Sequence, residues 1–521
     1  SGRQGASTIT QQYVRNSLAE RGYLEGDADQ VSAATEQTTE RKLREIKYAL
    51  ALEKTQSKDE ILTGYLNIAP FGPITYGVEA ASQRYFSKSA SALLAGLVQS
   101  PVQYDPLVHP DAAKERRNTV LAAMLEQNVI TQEEYDKGID TTIDSMLHPT
   151  VSSEGCSGAE SSKAYFCDYV LAQFLEDPTF GETRTERERM LKTQGITIRT
   201  TMDPTMQNAA FSSLTHTIPV GDASGLNDAL VSLDPRSGRV LAMAQNTTYG
   251  IESGETMSNY SADGNFQVGS TFKVFTLLEW FKEGHSAYLA GKTGTMNVVR
   301  ATGQSVNQAF VNMASRVDFC AIFDTAYNMG ITEDGEVPSP FPANILGSVS
   351  SSPLQMASVF GAIANSGQQC TPQSIESVTD RDENVLKEVI SADVANKTAA
   401  LLTASAGQYY TSTRLGDGRP FAAKSGTTDG HANTWLTGFT PSVVTSAWVG
   451  HGANSSQEVG SVTINGKYYG EIYGETFVGQ NIWAPYMTQI LAGTPVENVS
   501  SANIGSSTSR SNPTPAPTSS N

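Results

Sequence analysis

The sequence predicts a multidomain protein with a helical N-terminal part and a mixed α/β C-terminal part. The chain has 521 residues, of which 39% are hydrophobic, so it is long enough to bury two or more separate cores. A glycine-led helix start at residue 269 and two extended runs that begin near Lys424 indicate helices packed with strands. Nearer the N-terminus, apolar residues recur with a helical period at Leu43, Ile46, Ala49 and Leu50.

The predicted helix start carries a serine and a lysine that stand one turn apart. Ser270 and Lys273 are three residues apart, so on a helix they share one face. A serine hydroxyl is a weak nucleophile that needs a neighbouring base. A lysine supplies that base when burial or a nearby positive charge lowers its pKa. Taken alone, the pair is explained more simply as a serine N-cap followed by a surface lysine.

A second candidate is the Ser-Val-Asn segment from Ser305 to Asn307, which precedes an apolar run of helical character. By itself this segment is typical of a helix cap. Beside Lys273, however, the Ser305 hydroxyl is suited to relay a proton to a leaving group. The Asn307 amide is suited to hydrogen-bond the backbone of a substrate.

A third candidate, Lys-Ser-Gly-Thr from Lys424 to Thr427, lies in the first of two extended runs joined by a Gly/Asp/His loop, which predicts a hairpin. Gly426 allows a ligand backbone to approach closely. An edge strand here offers N–H groups to an acyl oxyanion and pairs with an extended peptide. Lys424, with the hydroxyls of Ser425 and Thr427, suits the carboxylate of a peptide or a β-lactam.

Chain order decides between this segment and a second one of the same pattern. Lys292 begins a Lys-Thr-Gly-Thr that matches the third motif, but it precedes Ser305 and no apolar strand leads into it. Lys424 is therefore favoured. Each of the three motifs is common, whereas the ordered set is the signature of serine enzymes that penicillin acylates.

On these motifs, residues from about 200 to 491 resemble the transpeptidase domain of the penicillin-binding proteins, and residues 229–244 resemble its first core hairpin. The resemblance implies an α/β fold of the penicillin-binding and serine β-lactamase type, with an antiparallel sheet flanked by helices. It implies that Ser270 is the acylated nucleophile and Lys273 its base, with the N–H groups of Ser270 and Thr427 as the oxyanion hole. The further implied roles are proton transfer for Ser305 and substrate binding for Asn307, Lys424, Ser425, Gly426 and Thr427.

Four segments near the N-terminus resemble, in order, the second to fifth motifs of the peptidoglycan glycosyltransferases. They are residues 3–16, 40–53, 57–67 and 92–101. The resemblance implies a mostly α, lysozyme-like domain. Together the two parts are similar to a class A, bifunctional penicillin-binding protein.

The same resemblance implies that Arg15, Arg41 and Lys42 bind the pyrophosphate of a lipid-linked disaccharide donor, and that Glu45 is a catalytic carboxylate. Without the resemblance, the charged residues around Glu45 are typical of a solvated helix face. It implies no cofactor for transpeptidation and leaves room for a divalent cation such as Mg²⁺ in the glycosyltransferase domain. The acidic first motif of the family is absent from a chain that starts at Ser1, so we expect an N-terminally truncated domain that does not polymerise glycan.

Charge and hydropathy limit the partners and the locations that are possible for the chain. The formal net charge of −18 argues against a nucleic-acid-binding face. The sequence has no run of about 18 apolar residues that would span a membrane. The resemblance implies one N-terminal membrane helix outside this chain and a location on the extracytoplasmic face of a bacterial cell membrane.

The four cysteines allow three disulfide pairings. Outside the cytoplasm, Cys156 with Cys167 would close a loop in a polar linker, and Cys320 with Cys370 would cross-link the transpeptidase domain. Four buried reduced thiols are an equal alternative. Neither the cysteines nor the six histidines show the spacing of a metal site.

Composition places the predicted boundaries at a glycosyltransferase domain over 1–138, a linker over 139–200, a transpeptidase domain over 201–495 and a disordered Ser/Thr/Pro-rich tail over 496–521. The predicted function is a serine D-Ala-D-Ala transpeptidase that cross-links peptidoglycan stem peptides and that β-lactams inhibit. A D,D-carboxypeptidase and a non-catalytic penicillin-binding sensor or scaffold are the alternatives. A class A β-lactamase is disfavoured, because no Glu-x-x-Leu-Asn segment lies between the second and third motifs.

Overall fold

The chain folds as two compact units, Ser1–Ser153 and Glu154–Asn521, in a computed structural model. The structure describes residues 7–36, 38–71, 76–78, 81–82, 91–147, 155–193, 196–287, 297–333, 335–378, 386–388 and 390–504. Among the helices of these described residues, none is both long enough and apolar enough to cross a membrane.

The first unit is helical, as predicted. Its described helices are Ile9–Glu25, Ala28–Thr35, Thr39–Leu52, Lys58–Ile68, Ser91–Leu97, Pro110–Glu126, Gln132–Asp140 and Ile143–Met146. Side-chain oxygens of Thr8, Asp27, Thr38 and Ser57 cap the first four of them. Tyr65, Phe71 and Leu93 belong to the apolar core of this unit.

The helix Thr39–Leu52 confirms the predicted period, but the apolar stripe is not its buried face. Leu43 and Leu50 are 62% and 59% exposed, whereas Glu45 is 3% exposed and Ala49 is buried beside it. A carboxylate is buried only when charged or hydrogen-bonding partners compensate it. Glu45 has such partners in Arg41 and Lys42, so this charged face turns inward.

The second unit contains thirteen strands among its described residues. They are β1 Ile198–Thr200, β2 Asn227–Leu233, β3 Val240–Gln245, β4 Phe266–Gln267, β5 Ser350–Ser351, β6 Gln368–Cys370, β7 Ile375–Val378, β8 Leu386–Glu388, β9 Ala422–Thr427, β10 Asn433–Thr440, β11 Val443–Gly450, β12 Val462–Ile464 and β13 Lys467–Tyr469. Five of them form the main sheet, in the order β3-β2-β11-β10-β9. Every neighbouring pair in this sheet is antiparallel. The two predicted hairpins are β2–β3 and β9–β10, and β9 is an edge strand.

Helices cover both faces of this sheet. The described helices of the second unit are Ala164–Glu176, Arg184–Thr193, Pro204–Thr217, Lys273–Lys282, Val298–Gly303, Asn307–Ala314, Phe319–Asn328, Pro353–Ala364, Ala392–Tyr409 and Ala484–Ile490, with a π-helix over Gly474–Trp483. One core contains Trp280, Phe360 and Trp448, and the other contains Leu230 and Trp483. Every residue of β10 and β11 is therefore buried. The predicted antiparallel sheet flanked by helices is confirmed.

Both segments predicted to lie outside the folded domains contribute to the second unit. Within 139–200, the helix Ala164–Glu176 places Phe166 and Val170 in the larger core, because its apolar residues recur with a helical period. Within 496–521, Val499 and Ile504 pack against that core. The Ala287 N–H also donates to the Ile504 carbonyl at 2.9 Å. Residues 505–521 lie outside the described residues.

Of the two predicted disulfides, the structure contains one. Cys156 and Cys167 are bonded, with their Cα atoms 5.6 Å apart. The other candidate pair is not bonded, since Cys320 is a free exposed thiol and Cys370 is a free buried one. The Cys370 thiol instead donates to the backbone carbonyl of Arg236, in the turn between β2 and β3.

Candidate active site

Ser270 lies in a 3₁₀ turn, Gly269–Phe272, that leads directly into the helix Lys273–Lys282. Gly269 adopts a φ of +53°, a conformation that glycine favours because it has no Cβ. A Cβ on Gly269 would also lie 2.9 Å from the backbone nitrogen of Thr427. The turn that presents Ser270 therefore lies directly against the end of edge strand β9.

Lys273 is fully buried and hydrogen-bonds the candidate nucleophile. Its Nζ lies 2.8 Å from Ser270 Oγ. Its other acceptors are the Ser305 carbonyl at 2.8 Å, Ser305 Oγ at 3.2 Å and Asn307 Oδ1 at 2.6 Å. All of these acceptors are uncharged, so none of them offsets the desolvation of an ammonium group. Burial lowers the pKa of Lys273 to about 7, which makes the neutral amine available as a base.

Ser305 adopts a left-handed backbone conformation between two short helices, with a φ of +52°. Such a conformation costs a non-glycine residue about 1–3 kcal/mol and is found most often at functional sites. The helix that follows has Val306 at its N-cap position and no side-chain cap. The simpler interpretation of Ser305 as a helix cap is therefore excluded. Its hydroxyl instead accepts hydrogen bonds from two lysines, Lys273 and Lys424.

Lys424 is buried on β9 and faces the same hydroxyl from the other side. Its Nζ donates to Ser305 Oγ at 3.0 Å and to the Ser425 carbonyl at 2.7 Å. Burial, and secondarily the charge of Lys273, hold the pKa of Lys424 well below its usual value. Two buried ammonium groups that share one hydroxyl repel each other. The site therefore favours protonation states in which at most one of the two lysines is charged.

Gly426 allows another backbone segment of the same unit to approach closely. A Cβ at Gly426 would lie 2.3 Å from the carbonyl oxygen of Val268. The glycine therefore lets β9 pack against the segment that leads into Ser270. The next residue, Thr427, accepts a hydrogen bond from the Gly474 N–H at 3.1 Å.

Two residues that sequence reasoning missed hold this strand in place, Tyr410 and Gly474. The Tyr410 hydroxyl accepts from the Ser425 N–H at 2.8 Å and donates to Ser425 Oγ at 3.1 Å. Gly474 begins the π-helix beside Thr427. Neither residue belongs to a short motif, and both are distant in sequence from their partners, so the sequence carried no signal for them.

The first unit brings together three of its four predicted site residues. Lys42 Nζ lies 3.1 Å from one carboxylate oxygen of Glu45, and Arg41 pairs with the other oxygen. Lys42 also donates to Gln11 Oε1 at 2.9 Å. The result is a buried carboxylate held between two cations, which we call the Glu45 cluster (Arg41, Lys42 and Glu45).

Arg15 lies on the helix Ile9–Glu25, near Tyr65. It is close enough to Tyr65 to lower the pKa of that phenol, against the larger raising effect of burial. Among the described residues, Arg15 is not one of the hydrogen-bond or ion-pair partners of Glu45. Lys292, the alternative to Lys424, lies outside the described residues.

The Glu45 cluster does not fit the divalent cation that the sequence left open. Both carboxylate oxygens of Glu45 are already held by positive groups, which repel a second cation. In the part of the chain that the structure describes, no group of three or more His, Cys, Asp or Glu side chains is arranged to hold a metal ion.

The family models for the two units match this chain in the expected order. A transglycosylase model matches residues 1–125, and a penicillin-binding protein transpeptidase model matches residues 229–287 and 279–463. Among solved structures, the chain is similar to penicillin-binding protein 1A of Haemophilus influenzae, with a TM-score of 0.62 at 20% identity over 87% of this chain and 88% of that one. It is also similar to the PonA1 protein of Mycobacterium tuberculosis, solved in complex with penicillin V, with a TM-score of 0.56 at 24% identity over 67% of this chain and 100% of that one. These likenesses support the fold.

Sequence relatives of known class support the same assignment. Penicillin-binding protein 2D of Bacillus subtilis is 30% identical over 94% of this chain and 71% of its own length. Penicillin-binding proteins 1A of Mycolicibacterium smegmatis and Mycobacterium tuberculosis are 29% and 30% identical, and the chain spans 65% and 62% of their lengths. With a transglycosylase region followed by a transpeptidase domain, the chain belongs to the class A, bifunctional penicillin-binding proteins.

Proposed function

We propose that the second unit is a D-Ala-D-Ala transpeptidase of peptidoglycan synthesis that works through an acyl-enzyme on Ser270. The observation that carries this proposal is the 2.8 Å hydrogen bond between Lys273 Nζ and Ser270 Oγ. A buried lysine with a pKa of about 7 is a base at neutral pH. Ser270 is half-buried and so remains accessible to a substrate.

In the proposed reaction, Ser270 Oγ attacks the penultimate D-Ala carbonyl of a stem peptide, and its proton passes to Lys273. The tetrahedral oxyanion accepts from the N–H groups of Ser270 and Thr427. The closeness of Gly269 to the Thr427 nitrogen supports this arrangement. The terminal D-Ala then leaves as its amine takes up a proton through Ser305, whose hydroxyl contacts both lysines. An amine of a second stem peptide completes the transfer by attacking the acyl-enzyme.

The open edge of β9 is the proposed binding surface for the acyl donor. β9 pairs with β10 on one side only, so an extended peptide is able to pair with the other side. At the end of this strand, Lys424 supplies an amine, and Ser425 and Thr427 supply two hydroxyls, which suit the terminal carboxylate of a donor. Asn307 is exposed beside Lys273 and is suited to bind the donor's backbone.

A β-lactam resembles the same acyl donor, and a protein similar to this one, PonA1, has been solved with penicillin V. The test is the intact mass of the protein after incubation with benzylpenicillin, followed by peptide mapping. We expect one covalent adduct on Ser270 and none on the Ser270→Ala variant. An adduct on another serine, or undiminished labelling of the variant, would contradict the assignment.

A carboxypeptidase and a transpeptidase differ in what accepts the acyl group from the serine, which is water for the first and an amine for the second. A D-Ala-D-Ala-ending stem peptide supplied with a second, amine-bearing stem peptide should yield the cross-linked dimer. Hydrolysis alone at saturating amine would favour the D,D-carboxypeptidase. A non-catalytic sensor or scaffold is disfavoured, because the base, the nucleophile and the bridging hydroxyl form one connected hydrogen-bond network.

For the first unit, we propose that the Glu45 cluster belongs to a site for a lipid-linked disaccharide donor, on the extracytoplasmic side of a bacterial membrane. The cationic side chains of Arg41 and Lys42 suit a pyrophosphate. Arg41→Ala should weaken binding of a lipid-linked disaccharide diphosphate. Arg44→Ala is the matched control, because Arg44 lies exposed on the same helix. Equal losses in both variants would indicate non-specific charge attraction.

A further inference from the structure

Tyr410 is a buried phenol in direct contact with the proposed carboxylate site. It follows the helix Ala392–Tyr409 and is 1% exposed. Burial raises the pKa of its hydroxyl to about 12, so the phenol keeps its proton at neutral pH. Its oxygen accepts the Ser425 N–H, and its single proton is donated to Ser425 Oγ.

These contacts determine the direction of the Ser425 hydroxyl. A serine hydroxyl has one proton to donate. Because Ser425 Oγ accepts the phenol proton, the serine's own proton points away from Tyr410. The Ser425 carbonyl is held at the same time by Lys424 at 2.7 Å. The amide nitrogen, carbonyl and hydroxyl of Ser425 are thus all fixed by neighbouring side chains, while the residue stays half-exposed.

Tyr410 also occupies one position on the open edge of β9. Since β9 pairs only with β10, an N–H that donates to Tyr410 lies on the side of the strand away from β10. Strand geometry has a period of two, so the Thr427 N–H lies on this same open side. A bound peptide is therefore able to pair near Thr427 but is blocked at Ser425.

We propose that Tyr410 is a positioning residue that makes the site specific for donors ending in a carboxylate. It directs the Ser425 hydroxyl proton toward that carboxylate and stops a peptide from pairing further along the strand. This inference rests on the proposed transpeptidase function. It adds a residue that acts through Ser425 and does not touch the reacting atoms.

The test uses the whole chain and two probes that differ only in the carboxylate, benzylpenicillin and its methyl ester. We expect Tyr410→Phe to lower the second-order acylation rate constant for benzylpenicillin about ten-fold, the usual effect of losing one hydrogen bond to a charged partner. The rate for the ester should change less than two-fold, roughly the scatter of neutral substitutions. Tyr165→Phe is the matched control, because it also removes a buried hydroxyl with two hydrogen-bond partners. It should leave both rates unchanged.

A double-variant cycle with Ser425→Ala gives a second, independent test of the same role. In a Ser425→Ala background, adding Tyr410→Phe should cause no further loss with benzylpenicillin, because both changes remove the same directed hydroxyl. Equal losses for the acid and the ester, or additive losses in the double variant, would overturn the positioning role. Failure of the wild-type chain to react with benzylpenicillin would instead overturn the proposed function.

Discussion

Lys42 in the first unit and Lys273 in the second are the same residue type in opposite surroundings. Lys42 is 33% exposed at its side chain and lies 3.1 Å from a carboxylate oxygen of Glu45. Lys273 is fully buried and has only neutral acceptors. Lys42 thus forms an ion pair, whereas burial lowers the pKa of Lys273 to about 7.

The difference shows that burial and hydrogen-bonding partners determine whether a lysine binds an anion as an ammonium group or accepts a proton as a neutral amine. A carboxylate partner stabilises the ammonium form, whereas desolvation without such a partner stabilises the free amine. The first environment suits the binding of an anion such as a pyrophosphate. The second suits the abstraction of a proton from a serine.

Removing the buried amine should have the largest effect. Lys273→Ala should cut the acylation rate by about 10²–10⁴-fold, because general-base assistance is lost. Lys424→Ala should also weaken acylation strongly, whereas Lys292→Ala should leave it nearly unchanged. Stopped-flow or mass-resolved acylation by benzylpenicillin measures all three variants. A Lys273→Ala rate within a few-fold of wild type would show that another group is the base.

The pH profile of acylation tests the depressed pKa directly. Lys273 acts as a base only when neutral, and its neutral fraction rises with pH through a pKa of about 7. The rate constant should therefore fall about ten-fold per unit as the pH drops below that value, and level off above about pH 8. Because Lys424 interacts with Lys273, the midpoint belongs to the pair. A flat profile between about pH 5.5 and about pH 8.5 would contradict a lysine base.

Breaking the ion pairs of the first unit should cost stability and leave acylation intact. Glu45→Gln removes the charge that Arg41 and Lys42 share. We expect a loss of about 1.5–3 kcal/mol in the unfolding free energy of this unit, typical of a hydrogen bond to a charged group. Urea denaturation followed by a probe in the first unit measures it. Glu20→Gln, on an exposed carboxylate of the helix Ile9–Glu25, is the control. Equal stability of the two variants would show that the ion pairs of Glu45 make no net contribution to the unfolding free energy of this unit.

Asp228 is fully buried, like Lys273, but it is an acid. On β2, neither of its carboxylate oxygens has a hydrogen-bond partner, and burial holds the pKa of this carboxyl well above its usual value. Below about pH 4 the carboxyl is protonated in both the folded and the unfolded chain. At higher pH only the unfolded chain ionises, so the contribution of Asp228 to stability falls as the pH rises.

Asp228→Asn removes this titration and should give the smallest effect of the four. The variant should be more stable than wild type by about 1 kcal/mol at neutral pH, a usual size for one substitution. The gain should shrink toward acid pH. Urea denaturation at about pH 4.5 and about pH 8 tests the trend against the linkage expectation. A gain of the same size at both pH values would contradict the buried-acid explanation.

Sequence patterns were most informative where the signal is local. The helix start at Gly269, the hairpin at Lys424 and the helical character of residues 40–53 depend on neighbouring residues, and all three appear in the structure. Prediction failed where a distant partner decides the outcome. Glu45 turns inward together with Lys42, which Gln11 of another helix also contacts, and Phe166 fixes a predicted linker in the main core.

Local sequence patterns predict the two units, their order and the three motifs that contain the serines and lysines. Folding of the whole second unit sets which hydroxyl joins the two lysines, which phenol contacts Ser425, and the left-handed backbone of Ser305. The physical reason is that pKa values and hydrogen-bond directions depend on burial and on partners far apart in the chain, such as Tyr410 beside Ser425 and Lys424 beside Ser305. No local pattern encodes those neighbours.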